Sequence, residues 1–215
     1  LKEIEEVQNK IKAETTTDVE VVNRYSVKDL KANPDKIYVF GDNDEKRGKG
    51  GQAIIRDEEN AFGIPTKYRP SRDIEAYWSD SFIGRNIEKI ETAIGKIKQA
   101  ADPDTLIGSK LSHPGKKVIV FPKDGLGTGL AKLKENAPET FAYLNKRLFE
   151  EFGFNNETGE VSQVPEGNQE TEDIDTLGGF KVGDKVSHPK HGKGLVVKLN
   201  PKAESATVEF DDAVI

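Results

Sequence analysis

Apolar positions recur at helical spacing in three stretches of the chain and cluster into short β-like runs between them. Leu1, Ile4, Val7 and Ile11 lie on one helical stripe over residues 1–13. Phe82, Ile83, Ile87, Ile90, Ile94 and Ile97 are separated by threes and fours, which predicts an amphipathic helix from about Ser79 to Ala101. Asp102-Pro103-Asp104 breaks it. Phe141, Leu144, Leu148 and Phe152 predict a last helix, with Pro138 in its first turn and Gly153 as its stop. DVEVVNRYS (18–26), KIYVFG (36–41), residues 62–65 and VIVFP (118–122) read as strands. Ser26-x-x-Asp29 marks a helix start after the first of these, and QAIIRDEEN (52–60) reads as a short helix. Strands alternating with helices predict an α/β sheet.

The pattern changes after the last helix. Residues 155–178 hold seven acidic residues, no Lys or Arg and few apolar ones, which predicts a flexible acidic linker. Beyond it, short β-like runs alternate with Gly, Pro and Asn turns, as in a small all-β module. The expected layout is an N-terminal helix over 1–17, an α/β domain over 18–152, a linker over 153–178 and a β-module over 179–215.

Composition narrows the picture. With 34% hydrophobic and 33% charged residues the chain suits a soluble fold, and no apolar run reaches membrane-spanning length. The start, LKEIEEVQNKIKA, lacks the apolar core of a signal peptide. It begins with Leu in a chain without Met, so the natural start is expected to lie upstream. The absence of Cys excludes disulfide and thiol chemistry and fits a cytoplasmic setting. A net charge of −6 argues against a general nucleic-acid coat, while leaving a local basic patch open.

Candidate chemistry lies in two glycine-rich loops. KIYVFG runs into Asp42-Asn43 and on to Gly48-Lys49-Gly50-Gly51-Gln52-Ala53, and VIVFP runs into Asp124-Gly125-Leu126-Gly127-Thr128-Gly129. In open α/β sheets ligands sit at the carboxyl ends of the strands, where backbone N–H groups are unpaired. Glycine lets that backbone approach a phosphate without a Cβ in the way. Glycines serving only tight turns are the alternative. A Walker loop is excluded, because position 43 is Asn and Gly48-Lys49 is followed by Gly50. Gly48-x-Gly50-x-x-Ala53 matches the dinucleotide fingerprint in letters, but six residues separate it from its strand.

These residues resemble the macrodomains that bind ADP-ribose. Asn43 with Gly50-Gly51-Gln52-Ala53-Ile54 is similar to that family's early loop. Phe121-Pro122 with Gly125-Leu126-Gly127-Thr128-Gly129-Leu130 is similar to its late loop. The wording GDN…GKGGQAIIRDEENAFGIPTK is similar to a macro-like group of bacteriophages and bacteria, and the resemblance spans about residues 18–152. It implies a mixed sheet flanked by helices. Asn43 would contact the distal ribose, Gly50, Gly51, Gln52 and Ala53 would line that ribose and the adjacent phosphate, and Gly127 to Leu130 would cradle the diphosphate. Asp42 would lie near the adenine or ribose. One branch of the family uses a catalytic Asp just after the late loop; here that position is Ala131, so the catalytic residues stay unassigned and hydrolysis would rest on an oriented water. No cofactor and no metal is expected. His113 is expected on the surface, and Arg56-Asp57-Glu58-Glu59 on the exposed face of a helix. Lys46, Arg47 and Lys49 are read either as phosphate partners or as a solvated loop. Tyr68, Tyr77 and Trp78 are read either as ligand-stacking or as packing residues. Thr66-Lys67 would face the same cleft.

VGDKVSHPKHGKGLVV (182–197) resembles the Tudor-like barrels of UvrD/PcrA-type helicases and CarD-type factors. That implies docking of residues 179–215 on RNA polymerase or a helicase, with His188 and His191 structural. The chain stops at Ile215, where such a barrel would add a strand. Three readings follow: a binder, or hydrolase, of ADP-ribose or a related NAD-derived nucleotide; a phage-type sponge for such a signal, in the cytoplasm of a bacterial or phage-infected cell; and an adaptor without ligand.

Overall fold

Four short strands make one sheet: β1 (Val19–Val22), β2 (Lys36–Asp42), β3 (Ala61–Pro65) and β4 (Val118–Pro122), in the order β1-β4-β2-β3. The computed structural model describes residues 18–113, 115, 117–162, 183–188, 191–200 and 205–210. The expected helix over 1–17 and the acidic stretch 163–178 lie outside them. All three strand pairings are parallel, where a mixed sheet was implied. The connection from β2 to β3 returns the chain to the same end of the sheet, which a parallel pair requires.

The strands are apolar on both faces because both faces are covered. Ile37, Val39, Ile119 and Phe121 pack under two helices, α2 (Ile83–Ala101) and α4 (Pro138–Phe152), through Ile90, Ile94, Ile97, Phe141, Leu144 and Leu148. Each such side chain contributes about 1.5–3 kcal/mol on burial. Tyr38, Phe40 and Val120 face the other way, against Leu30 of α1 (Val27–Ala32) and Ala53 and Ile55 of a 3-10 turn, Gly51–Ile55. This turn replaces the longer helix expected over 52–60.

Helix ends follow the local signals. Ser26 and Asp29 form a reciprocal capping box at α1. Pro138 opens α4, and Gly153, at φ 65°, closes it by donating to the carbonyls of Leu148 and Phe149. A short α3 (Leu133–Asn136) precedes α4. Helix α2 begins later than its apolar pattern, since Asp80–Phe82 form a separate 3-10 turn. The carboxylate of Asp80 instead caps α4, accepting from the N–H groups of Glu139 and Thr140 at 2.8 and 2.9 Å and from the Thr140 hydroxyl at 2.7 Å.

The expected linker does not start at the end of α4. Phe154–Asn155 (β5) and Glu160–Val161 (β6) form an antiparallel hairpin, turned by the Asn155 side chain and by Gly159 at φ 66°. Farther on, β7 (Lys185–His188), β8 (Gly192–Asn200) and β9 (Ser205–Phe210) make an antiparallel three-stranded sheet with an irregularity between Val196 and Lys198. It rests on α2, where the Glu209 carboxylate accepts the Gly84 N–H and Lys185 pairs with Glu88 at 3.1 Å. His188 and His191 stack at 4.8 Å and share the ring of Phe210. No group that could hold a metal ion occurs among the described residues, and none of their helices is long and apolar enough to cross a membrane.

Candidate functional site

Strands β2 and β4 are neighbours, so the glycine loops that leave their carboxyl ends face each other. Between them opens a cleft of about 1110 Å³. Asp42, Asn43, Gly50, Gly51, Gln52 and Ala53 line one wall, and Gly127, Thr128, Gly129 and Leu130 the other. Gly125 does not line it. At φ 73° its Cα faces the carbonyl of Asn156 so closely that a Cβ would overlap that oxygen, so this glycine serves packing.

The first loop is held by its own side chains. Asn43, buried, donates through Nδ2 to the Arg47 carbonyl at 2.9 Å, while its Oδ1 accepts the Arg47 N–H at 3.3 Å. One amide hydrogen and one lone pair remain for a ligand. Asp42 accepts from its neighbour's N–H at 2.7 Å and from Arg56 Nε at 3.0 Å, with Arg56 Nη2 on the same oxygen. Arg56 Nη1 also donates to the Gly48 carbonyl. The expectation that Arg56 belongs to an exposed face is therefore corrected. Its side chain is 10% exposed, because a buried carboxylate at the end of β2 draws the guanidinium inward. Gln52 bridges the walls: its Oε1 accepts the Gly41 N–H and its Nε2 donates to the Gly125 carbonyl, each at 2.9 Å.

The second loop is braced from outside. Leu126 exchanges two hydrogen bonds with the buried amide of Asn156, at 2.6 and 3.0 Å, much as a strand neighbour would. The Thr128 hydroxyl closes back on the Asp124 carbonyl at 2.9 Å, and the Leu133 N–H donates to the Gly127 carbonyl at 2.8 Å. Between these ties, the N–H groups of Gly127, Thr128, Gly129 and Leu130 have no acceptor among the described residues. Neither have those of Gly50, Gly51 and Gln52 opposite. Gly127, at φ 78°, and Gly129, at φ 53°, hold left-handed backbone on either side of the extended Thr128, a course that side chains with a Cβ rarely follow. Among the described residues two that are not glycine also adopt positive φ, Lys46 and Lys132, one beside each loop. Such backbone costs of order 1–3 kcal/mol and concentrates at functional sites.

Charge in the cleft runs against the charge of the chain. Lys67, Arg72 and Lys132 line it and pair with no carboxylate among the described residues. Arg47 pairs with Glu45 at 2.5 Å, and Lys49 with Asp57 at 2.5 Å. Tyr77 lines the cleft, whereas Trp78 is buried in the core and donates to Asp44 at 3.2 Å. Tyr68 packs on Trp78 and hydrogen-bonds Arg85. His113 is exposed, and Ala131, although buried, lines the cleft. Arg56 and Asn156 went unrecognised as parts of the site. Glycine spacing reveals the loops, but a charge in a polar run and an Asn past a helix stop carry no signal of where they reach.

Fold and cleft together define an α/β domain with a parallel sheet whose strand ends carry a cleft lined by two glycine loops. Residues 20–147 match the model of a family of unknown function (DUF7831), and the chain belongs to that family. No curated protein and no solved structure matches it.

Proposed function

We propose that residues 18–152 form a binding domain for a nucleotide diphosphate, with ADP-ribose or a related NAD-derived nucleotide as the ligand class. The observation that carries this reading is that two glycine loops, Gly50 to Gln52 and Gly127 to Leu130, line one cleft with N–H groups that have no acceptor among the described residues. Hydrogen bonds from such donors to a charged oxygen are worth about 1.5–3 kcal/mol each. The unpaired cations at the rim support the same class of ligand. A ligand-free adaptor has no need of either feature. Binding is the primary activity in this reading, since Ala131 stands where the resembling branch carries its carboxylate. The macrodomain likeness remains the basis for the ribose roles of Asn43, Gly50, Gly51, Gln52 and Ala53. By its sequence likeness, the sheet β7–β9 is read as a Tudor-like module that docks a protein such as RNA polymerase or a helicase.

Gly129 gives the cleaner test of the cleft. A Cβ there meets no atom within 4 Å, whereas one on Gly127 would press on Leu133 at 3.0 Å. Asp and Asn both tolerate left-handed backbone, so Gly129→Asp adds a repelling charge and Gly129→Asn controls for shape. Calorimetry against ADP-ribose, NAD, ATP and cyclic ADP-ribose should show binding that Gly129→Asp weakens at least tenfold and Gly129→Asn weakens less. Product analysis then separates a binder from a hydrolase. A folded wild-type protein giving no heat with any of these ligands at millimolar concentration would sink the reading.

A further inference from the structure

Lys67 follows β3 and lines the cleft, yet it is only 8% exposed. Its Nζ donates to the carbonyl of Ser71 at 2.8 Å and to that of Leu130 at 3.2 Å, and lies 4.2 Å from the centre of the Tyr77 ring. No carboxylate among the described residues pairs with it, and burial holds its pKa below the ordinary lysine value. Removing a cation from water is costly unless an opposite charge compensates. Two carbonyl dipoles and a ring face do so only in part.

Its position makes this more than a packing device. The other deeply buried lysine among the described residues, Lys117, also sits on carbonyls, those of Pro34 and His113, but it lines no part of the cleft and ties two turns together. Lys89 spends its charge on Asp44. Lys67 instead holds the two rims of the cleft at once. Ser71 belongs to the rim segment 69–72. Leu130 belongs to the second glycine loop, where its N–H is one of the free donors and its carbonyl is the Lys67 acceptor. The N–H rows are neutral dipoles and would accept a carbonyl, a hydroxyl or water as well as a phosphate. Discrimination by charge requires a fixed ion, and in a poorly solvated site that ion acts with little screening.

We propose that Lys67 is the charge-selecting residue of the cleft, and that through the Ser71 and Leu130 carbonyls it couples entry of a phosphate-bearing ligand to ordering of both rims. The inference rests on the nucleotide reading above and adds to it the origin of charge selectivity and the moving parts. An anion beside Nζ supplies the missing counter-charge. The ammonium then stays hydrogen-bonded to both carbonyls, so segments 69–72 and 128–132 tighten together.

The test uses the full chain, as wild type, Lys67→Met and Lys67→Arg, with pyrophosphate and ADP-ribose as probes. Calorimetry reads affinity, hydrogen exchange reads the two rims, and thermal unfolding monitors the fold. Lys67→Met is expected to weaken both ligands at least tenfold and to remove the ligand-induced protection of 69–72. Lys67→Arg is expected to recover most of the affinity. Should Lys67→Met not fold, the wild-type exchange pattern still decides, because pyrophosphate must protect both rims together. Protection of one rim alone, or a folded Lys67→Met with wild-type affinity for both ligands, overturns the Lys67 role and leaves the nucleotide reading standing. Pyrophosphate bound through Lys67 without any binding of ADP-ribose overturns the nucleotide reading and leaves the Lys67 role. Binding of neither ligand overturns both.

Discussion

Replacing Arg56 with Met should destabilise the domain more than its place in a polar run suggests. The Asp42 side chain is 6% exposed and would keep only the Asn43 N–H as a partner. It would lose Arg56 Nε at 3.0 Å and the second guanidinium contact, and the Gly48 carbonyl would lose its donor. Leaving one member of a buried ion pair uncompensated costs about 3–5 kcal/mol. At roughly 2–4 °C per kcal/mol for a chain of this size, the midpoint should fall by about 6–20 °C. Thermal and urea unfolding of Arg56→Met, Asp42→Asn and the double variant would give the coupling. The double variant should be less destabilised than the sum of the singles, because removing both charges leaves no isolated ion. If Arg56→Met loses less than about 1 kcal/mol, the pair behaves as a solvated surface bridge and the argument is refuted.

Two more outcomes follow from the bracing contacts. Asn156→Ala leaves the N–H and carbonyl of Leu126 without their partners, which should cost about 2 kcal/mol or more in urea unfolding and loosen residues 125–130 in hydrogen exchange; unchanged exchange there would show that the loop needs no brace. Gly84→Ala puts a methyl group against the Glu209 carboxylate and should raise proteolytic cleavage of β7–β9 while leaving the cleft's ligand affinity unchanged; cleavage at the wild-type rate would show that the sheet does not depend on this seat.

What could be read from residues alone divides by the range of the interaction. The capping box at Ser26 and the stop at Gly153 are local and appear where the spacing puts them, and the apolar stripe of α2 does so from Ile83 on. The two glycine loops were legible because each follows an apolar strand directly. Their convergence was expected from the resemblance, and it comes about because β2 and β4 are sheet neighbours although 75 residues lie between Asp42 and Val118. Parallel pairing throughout departs from the mixed sheet that the resemblance implies. Arg56 looked like one more charge in RDEE, and its inward turn follows from Asp42 alone. The hairpin after Gly153 was hidden by composition, because the acidic stretch that follows it set the character of the whole segment.

That hairpin also affects how the family match should be used. The matched region ends at residue 147, within α4, whereas Asn156, which grips Leu126, lies nine residues farther on. A shortened chain cut at the end of α4 would keep every residue of both glycine loops and lose the amide that spaces one of them. The donors would be present at the wrong separation, and such a fragment could fold and still bind nothing. Two relatives with identical loop sequences could likewise differ in affinity through a side chain that neither loop contains.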